Sequence, residues 1–257
     1  MAASSKKPGE VEPTTSRRHP LQRFDSPSKG FSGALHVAGL ISFYSSFKFL
    51  ADNPNIFNES FGWHLQFLTI IGLSLSTVTF VFGLAADLTS TALSKSPSLT
   101  SDPPAVAISE HLFRLKNYLA LVAAPIEVTI TIYDLGFHLV PAVVLALDYI
   151  LLSPPWPTTP MNESAPIITL SLSTVVAFAY WIWIEICFSR NGFYPYPIFA
   201  MLTTNQRIGL FVVSGVIMWV VGGLLRVLYA KINGYESAEH LEKVRRSKVM
   251  GGSGKWE

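Results

Sequence analysis

Cysteine and charge are the two things this chain has least of. A single cysteine, Cys187, in 257 residues excludes an intrachain disulfide framework, and no Cys/His cluster has the spacing of a zinc site. Charged residues make up 14% of the chain, against about a quarter in an ordinary soluble domain. Hydrophobic residues reach 49% and the mean hydropathy is +0.37, so the solvent this composition suits is a bilayer. The net charge of +2 is too small, and too concentrated in the tails, for a nucleic-acid partner. Also missing are the GxSxG elbow, the HExxH helix and a glycine-rich phosphate loop. His36 and His138 fall on opposite sides of the expected membrane, which argues against a bis-histidine haem site. Neither a cofactor nor a resident metal is expected.

What is present is a series of apolar runs of about twenty residues, the length that crosses roughly 30 Å of hydrocarbon. They lie at 31–50, 65–85, 167–188 and 208–229. Residues 1–30 are rich in Pro, Ser and charge and lack an apolar run, so they read as a disordered tail rather than a cleavable signal peptide. Residues 31–229 form the membrane domain, and 230–257 a second basic tail with a short amphipathic piece in which Glu239 and Lys243 are spaced i, i+4.

The passage 117–152 is the ambiguous one, about 36 residues long, too long for one span and barely enough for two. A hairpin turning at Tyr133, Asp134, Leu135 and Gly136 makes six spans; one long tilted helix makes five. Basic residues decide between them. Lys6, Lys7, Arg17, Arg18, Arg23 and Lys29 mark the amino-terminal tail as cytosolic, Lys95, Arg114 and Lys116 mark the loop after the second span, and Lys231, Lys243, Arg245, Arg246, Lys248 and Lys255 mark the carboxyl tail. Only an even number keeps both tails on the cytosolic side, so the expected fold is an all-α polytopic transmembrane bundle of about six spans. The sequon at Asn58 then faces the far side, whereas the one at Asn162 is cytosolic with six spans and exposed with five.

Polar groups inside spans are costly and therefore informative. Thr69 shares a helical face with Gly72, Ser76 and Gly83, the small-residue side on which a membrane helix packs closely. The ordinary reading of such a threonine is a hydrogen bond back to a carbonyl one turn earlier; that of His138 is a satisfied interhelical bond. In the six-span arrangement, however, both lie about one turn inside the far-side boundary. A threonine hydroxyl next to a base is the minimum constellation for covalent ester hydrolysis. Glu185 or Asp134 would orient the imidazole, Asp134 being equally suited to capping the fourth span. Cys187 is the weaker nucleophile, as a thiol in apolar surroundings is inert. Glu127 is an intramembrane carboxylate that either serves a proton-coupled carrier or sits protonated and hydrogen-bonded in a structural role.

The segments FGWHLQFLT (61–69), FGLAADL (82–88), GFHLVP (136–141) and NGFYPYP (191–197) resemble, in order and spacing, the androgen-induced protein family of multi-pass membrane proteins, and more narrowly its fungal members. The resemblance implies six spans, an endomembrane location such as the endoplasmic reticulum, and an intramembrane threonine hydrolase acting on fatty acid esters of hydroxy fatty acids. It matches the family's nucleophile to Thr69 and its histidine to His138. The partners it implies are bilayer lipids and the lipid ester. One departure stands out: roughly two dozen residues usual in the family between Pro125 and His138 are missing, which leaves the third span about fifteen residues or near 22 Å. Either a natural variant thins the bilayer locally or an exon has been lost. Two other functions remain open, a carrier centred on Glu127 and a scaffold whose basic tails contact anionic lipid.

Overall fold

A computed structural model describes residues 21–91, 104–131, 135–154 and 164–234. Among the described residues there is no strand. The elements are α1 (Phe31–Asp52), a 3-10 turn (Trp63–Gln66), α2 (Leu68–Thr91), α3 (Pro104–Thr131), α4 (Leu135–Leu147) continued by a π turn (Asp148–Leu152), α5 (Ala165–Asn191), the short α6 (Pro197–Met201) and α7 (Thr204–Asn233). Local chemistry sets the ends. Pro166 and Pro197 open α5 and α6 where a missing N–H matters least. Gly192, at φ 75°, closes α5 by donating its N–H to the Phe188 carbonyl at 2.8 Å. Thr203 and Gln206 cap α7 reciprocally.

Four helices, α1, α2, α5 and α7, are long and apolar enough to cross a membrane, and only 17% to 39% of each apolar window is buried. Their outer faces present Ile41, Ile167, Val175, Leu224 and Val227, each more than 60% exposed. Such a belt has no stable place in water, and in lipid it is the solvated surface.

The passage 117–152 folds as the hairpin. The helix α3 ends at Thr131 and α4 begins at Leu135, and the two run antiparallel, with Lys116 of α3 bonded to Asp148 at the far end of α4. The third span is not short. It starts at Pro104, and 28 residues of α-helix make about 42 Å. Arg114 and Lys116, expected in a loop, therefore lie on α3, and Lys116 is fully buried in an ion pair rather than marking a cytosolic surface.

Against α2, α3 is also antiparallel, since Ser109 donates to the Ala86 carbonyl and Glu127 meets Ser76. Hence α2 and α4 run parallel, and they touch. One apolar core joins α1 to α4 through Phe43, Leu73, Phe80, Ala123 and Leu145; a second, of Tyr180, Ile184, Tyr194, Phe199 and Phe211, joins α5 to α6 and α7.

Residues 21–30, assigned to the tail by composition, fold over one end of the bundle. Arg23 donates to the Ile232 carbonyl at 2.7 Å, the Phe24 N–H to the Leu151 carbonyl at 3.1 Å, and the Ser28 N–H to Asp87 Oδ1 at 2.8 Å. Backbone acceptors at helix ends and a buried carboxylate give this polar segment partners that its composition does not reveal. The same bonds put the start of α1 and the end of α7 on one side, as an even number of crossings requires. The rest of both tails, and Asn162, lie outside the described residues.

Candidate functional site

The segment ahead of Thr69 is wedged against α5. Gly62 (φ 87°) and Trp63 (φ 46°) turn the chain in the left-handed region. Gln66, fully buried, donates to Ser60 Oγ at 2.6 Å and to the Trp63 carbonyl at 2.9 Å, and accepts from Asn191 Nδ2 at 3.1 Å. Tyr180 Oη donates to the Gln66 carbonyl at 2.8 Å and Trp183 Nε1 to the Leu65 carbonyl at 2.9 Å. These bonds fix where α2 begins. Thr69 is the second residue of α2 and is half-buried.

One turn further along α2, the small-residue face closes on Glu127. A Cβ added to Gly72 would come within 2.7 Å of Glu127 Oε1, and Ser76 Oγ donates to that oxygen at 3.2 Å. Glu127 is fully buried there. His138 occupies the first turn of α4; its side chain, like all of Asp134, lies outside the described residues. Its backbone level follows from the hairpin. His138 lies three residues past the start of α4 and Val128 three before the end of α3, so in the antiparallel pair His138 is level with Glu127 and Val128. Thr69, Glu127 and His138 thus occupy one stratum of the bundle, on three adjoining helices.

Glu185 is engaged elsewhere. Trp181 Nε1 donates to it at 3.1 Å, Tyr194 Oη at 2.9 Å, and Arg207 pairs with it at 3.3 Å. This carboxylate ties α5 to α7. Cys187 is buried, its sulfur 2.8 Å from where a Cβ on Gly62 would stand.

Among the described residues, a cluster of buried charge lies at the opposite end, the tail end, where four helices share a clasp. His36 of α1 places Nδ1 2.7 Å from Asp87 Oδ2 of α2 and Nε2 3.2 Å from Asp148 Oδ1 after α4. Lys116 of α3 donates to Asp148 Oδ2 at 2.7 Å and Oδ1 at 2.9 Å, and to Ser153 Oγ at 3.2 Å. Ser32 Oγ donates to Asp87 Oδ1 at 2.8 Å. All four ionisable groups are at most 1% exposed. With both carboxylates ionised, the imidazole can donate from both nitrogens only as imidazolium, and two negative charges then balance two positive ones. No ring lone pair is left for a cation.

Sequence reasoning passed over Asp87, Asp148 and this use of Lys116. The available signal was a single acid in each of two otherwise apolar runs, FGLAADL and LALDYILL. Packing around the clasp is tight. A Cβ on Gly83 would stand 2.4 Å from His36 Nε2. Gly83→Ala is therefore expected to lower stability by about 1–3 kcal/mol through overpacking, read as an earlier melting transition of the detergent-purified protein, while Gly209→Ala, with open space around it, leaves the transition where it is.

Fold and exposed apolar belt define a polytopic helical membrane protein. Its lineage follows from comparison: the model for FAR-17a/AIG1-like proteins matches residues 31–133 and 131–230, and the chain belongs to that family. The two matched segments meet at 131–133, between the end of α3 and the start of α4. A UPF0641 membrane protein of Schizosaccharomyces pombe is 26% identical over 230 residues, covering 79% of this chain and 92% of the relative. No solved structure matches the chain.

Proposed function

We propose that this protein is an intramembrane hydrolase of lipid esters, of the class exemplified by fatty acid esters of hydroxy fatty acids, acting in the endoplasmic reticulum or a related endomembrane. The observation that carries the reading is the shared stratum: Thr69 and His138 sit in the first turns of two parallel, touching helices, and the level of His138 is that of Glu127, itself packed against Gly72 one turn from Thr69.

In this mechanism Thr69 Oγ1 attacks the ester carbonyl while His138 takes the hydroxyl proton. The imidazolium gives that proton to the departing alkoxide, leaving an acyl ester on Thr69. A water deprotonated by His138 then releases the carboxylic acid and restores Thr69. Glu127 is the carboxylate at the right level to orient the ring, a role that sequence assigned to Glu185 or Asp134. The positive end of the α2 dipole favours the developing oxyanion, and acyl chains reach the site laterally from the bilayer.

The test uses purified protein in nanodiscs with a long-chain ester. Hydrolysis lost in both Thr69→Ala and His138→Ala is expected; no hydrolysis by the wild type, together with solute flux abolished by Glu127→Gln, would establish the carrier instead. Both tails are assigned to the cytosol, so in microsomes Asn58 is expected to carry glycan and Asn162 none. An endoglycosidase-sensitive shift that survives Asn58→Gln and vanishes with Asn162→Gln would reverse that orientation.

A further inference from the structure

Residues 21–30 form a strap whose hold on the clasp runs through Ser26. That side chain is buried, and its Oγ lies 2.9 Å from Ser32 Oγ. Ser32 uses its one hydroxyl proton on Asp87 Oδ1 at 2.8 Å, so Ser26 is the donor of the pair. Two residues on, the Ser28 N–H donates to the same Asp87 oxygen at 2.8 Å, and the Ser28 carbonyl accepts from the Gly33 N–H at 3.0 Å. Gln22, also buried, shapes the strap from within by donating to the Phe24 and Ser26 carbonyls, both at 2.9 Å.

The strap is held mainly by hydrogen bonds. Phe24 is 44% exposed, and the bonds from Arg23 to the Ile232 carbonyl and from the Phe24 N–H to the Leu151 carbonyl add polar anchors. A segment held in this way opens locally at far lower cost than the bundle unfolds. Its sequence runs Ser26, Pro27, Ser28, Lys29: a serine followed at once by proline and, at the third position, by an exposed lysine. Opened, that stretch has the chemistry a proline-directed serine kinase reads, a ring without an N–H directly after the acceptor serine and a cation for the enzyme's acidic residues beyond it.

We propose that Ser26 is a phosphorylation site for such a kinase, and that a phosphate on it keeps the strap off the clasp. With the strap open, Ser26 Oγ attacks the γ-phosphorus of a nucleoside triphosphate held by the kinase. The new O–P bond forms as the bond to the β,γ-bridging oxygen breaks; the nucleoside diphosphate leaves with that electron pair, and the hydroxyl proton passes to the kinase's base. The ester oxygen then has no proton to donate to Ser32. Space and charge also forbid return to the docked position. A Cβ on Gly33 would already stand 3.2 Å from the Ser28 carbonyl oxygen and 3.8 Å from Asp87 Oδ2. A phosphate of about two negative charges would face Asp87, while His36 and Lys116 are engaged with the clasp's own carboxylates. Phosphorylation therefore frees the strap and takes the Ser28 N–H away from Asp87. The inference is independent of the hydrolase reading and rests on the assignment of both tails to the cytosol, where kinases and nucleoside triphosphates are available.

The experiment incubates the full-length protein in sealed microsomes with a kinase of the cyclin-dependent class and radiolabelled ATP, maps the label by mass spectrometry, and follows amide hydrogen exchange across 21–30. Phosphate is expected on Ser26 in the sealed vesicles. Ser26→Ala abolishes it, and Lys29→Ala, a change at an exposed side chain, lowers it several-fold. Gln22→Ala, which removes two bonds of the strap and lies outside the recognised residues, raises the rate of labelling roughly 10-fold. The Phe24 and Ser28 amides, protected in the unmodified protein, exchange freely in the phosphorylated one and in Ser26→Glu; in Ser26→Ala, which loses one bond and gains no charge, they stay largely protected. The proposal is overturned if the label goes to Ser28 or elsewhere and not to Ser26, if none is incorporated even after detergent opens the vesicles, or if the phosphorylated strap keeps its protection. Label that appears only after detergent would place the strap in the lumen, overturning the proposal together with the orientation and leaving the hydrolase reading to its own test. The comparison of modified with unmodified wild type holds even if a variant does not fold.

Discussion

Asp148→Ala is expected to be the most damaging single substitution in the membrane domain. The change removes the carboxylate that neutralises both Lys116 Nζ, 2.7 Å away, and the Nε2 side of His36. Neither cation can reach water, since both side chains are fully buried. Breaking a buried pair on one side leaves an uncompensated charge and is worth about 3–5 kcal/mol, a large part of the roughly 5–15 kcal/mol that a folded domain has in total. The melting temperature in detergent should fall by on the order of 10 °C, with loss of the monodisperse peak on gel filtration. Removing both charges together, as Asp148→Leu with Lys116→Met, should recover much of that loss, because the isosteric apolar pair no longer strands a charge. Asp148→Ala melting within 2 °C or so of the wild type would show that the clasp is not what holds these four helices together.

The second large effect concerns turnover. Thr69→Ala and His138→Ala should each reduce ester hydrolysis by about three orders of magnitude or more, and the double variant should be no worse than the worse single one, because a nucleophile and its base act as a unit. A nucleophile without a base retains its proton, and a base without a nucleophile has only water to activate. Glu127→Gln should give a smaller loss with unchanged melting if the carboxylate orients the imidazole, since the amide keeps the packing against Gly72 and Ser76 but not the charge. Additive losses in the double variant would mean that the two side chains act separately.

Much of the fold was legible because the bilayer leaves few choices. Runs of apolar residues marked α1, α2, α5 and α7 to within a few residues, and Gly72, Ser76 and Gly83 do form the close-packing face of α2. The hairpin was legible from charge bias, and the Arg23 bond to the Ile232 carbonyl puts the two ends of the membrane domain on one side as that bias required. Lys116 was misread because a lysine near an apolar run is usually an interfacial marker. Pro104 opens α3 at a position where proline is tolerated, and a helix beginning there carries Lys116 inward. The clasp was invisible for a different reason. His36, Asp87 and Asp148 are 51 and 112 residues apart in pairs with His36, and nothing local in a single chain announces that three isolated polar groups share a partner. Glu185 looked free for the same reason, its companions Tyr194 and Arg207 lying in and beyond the NGFYPYP turn.

The most direct measurement is of the covalent intermediate. Incubating the purified protein with an activated palmitoyl aryl ester, quenching in acid and mapping peptides by mass spectrometry should find a palmitoyl group on Thr69 in the wild type and none in Thr69→Ala or His138→Ala. An acyl group found on Cys187 or another side chain, or turnover of the ester with none on Thr69, would contradict the account.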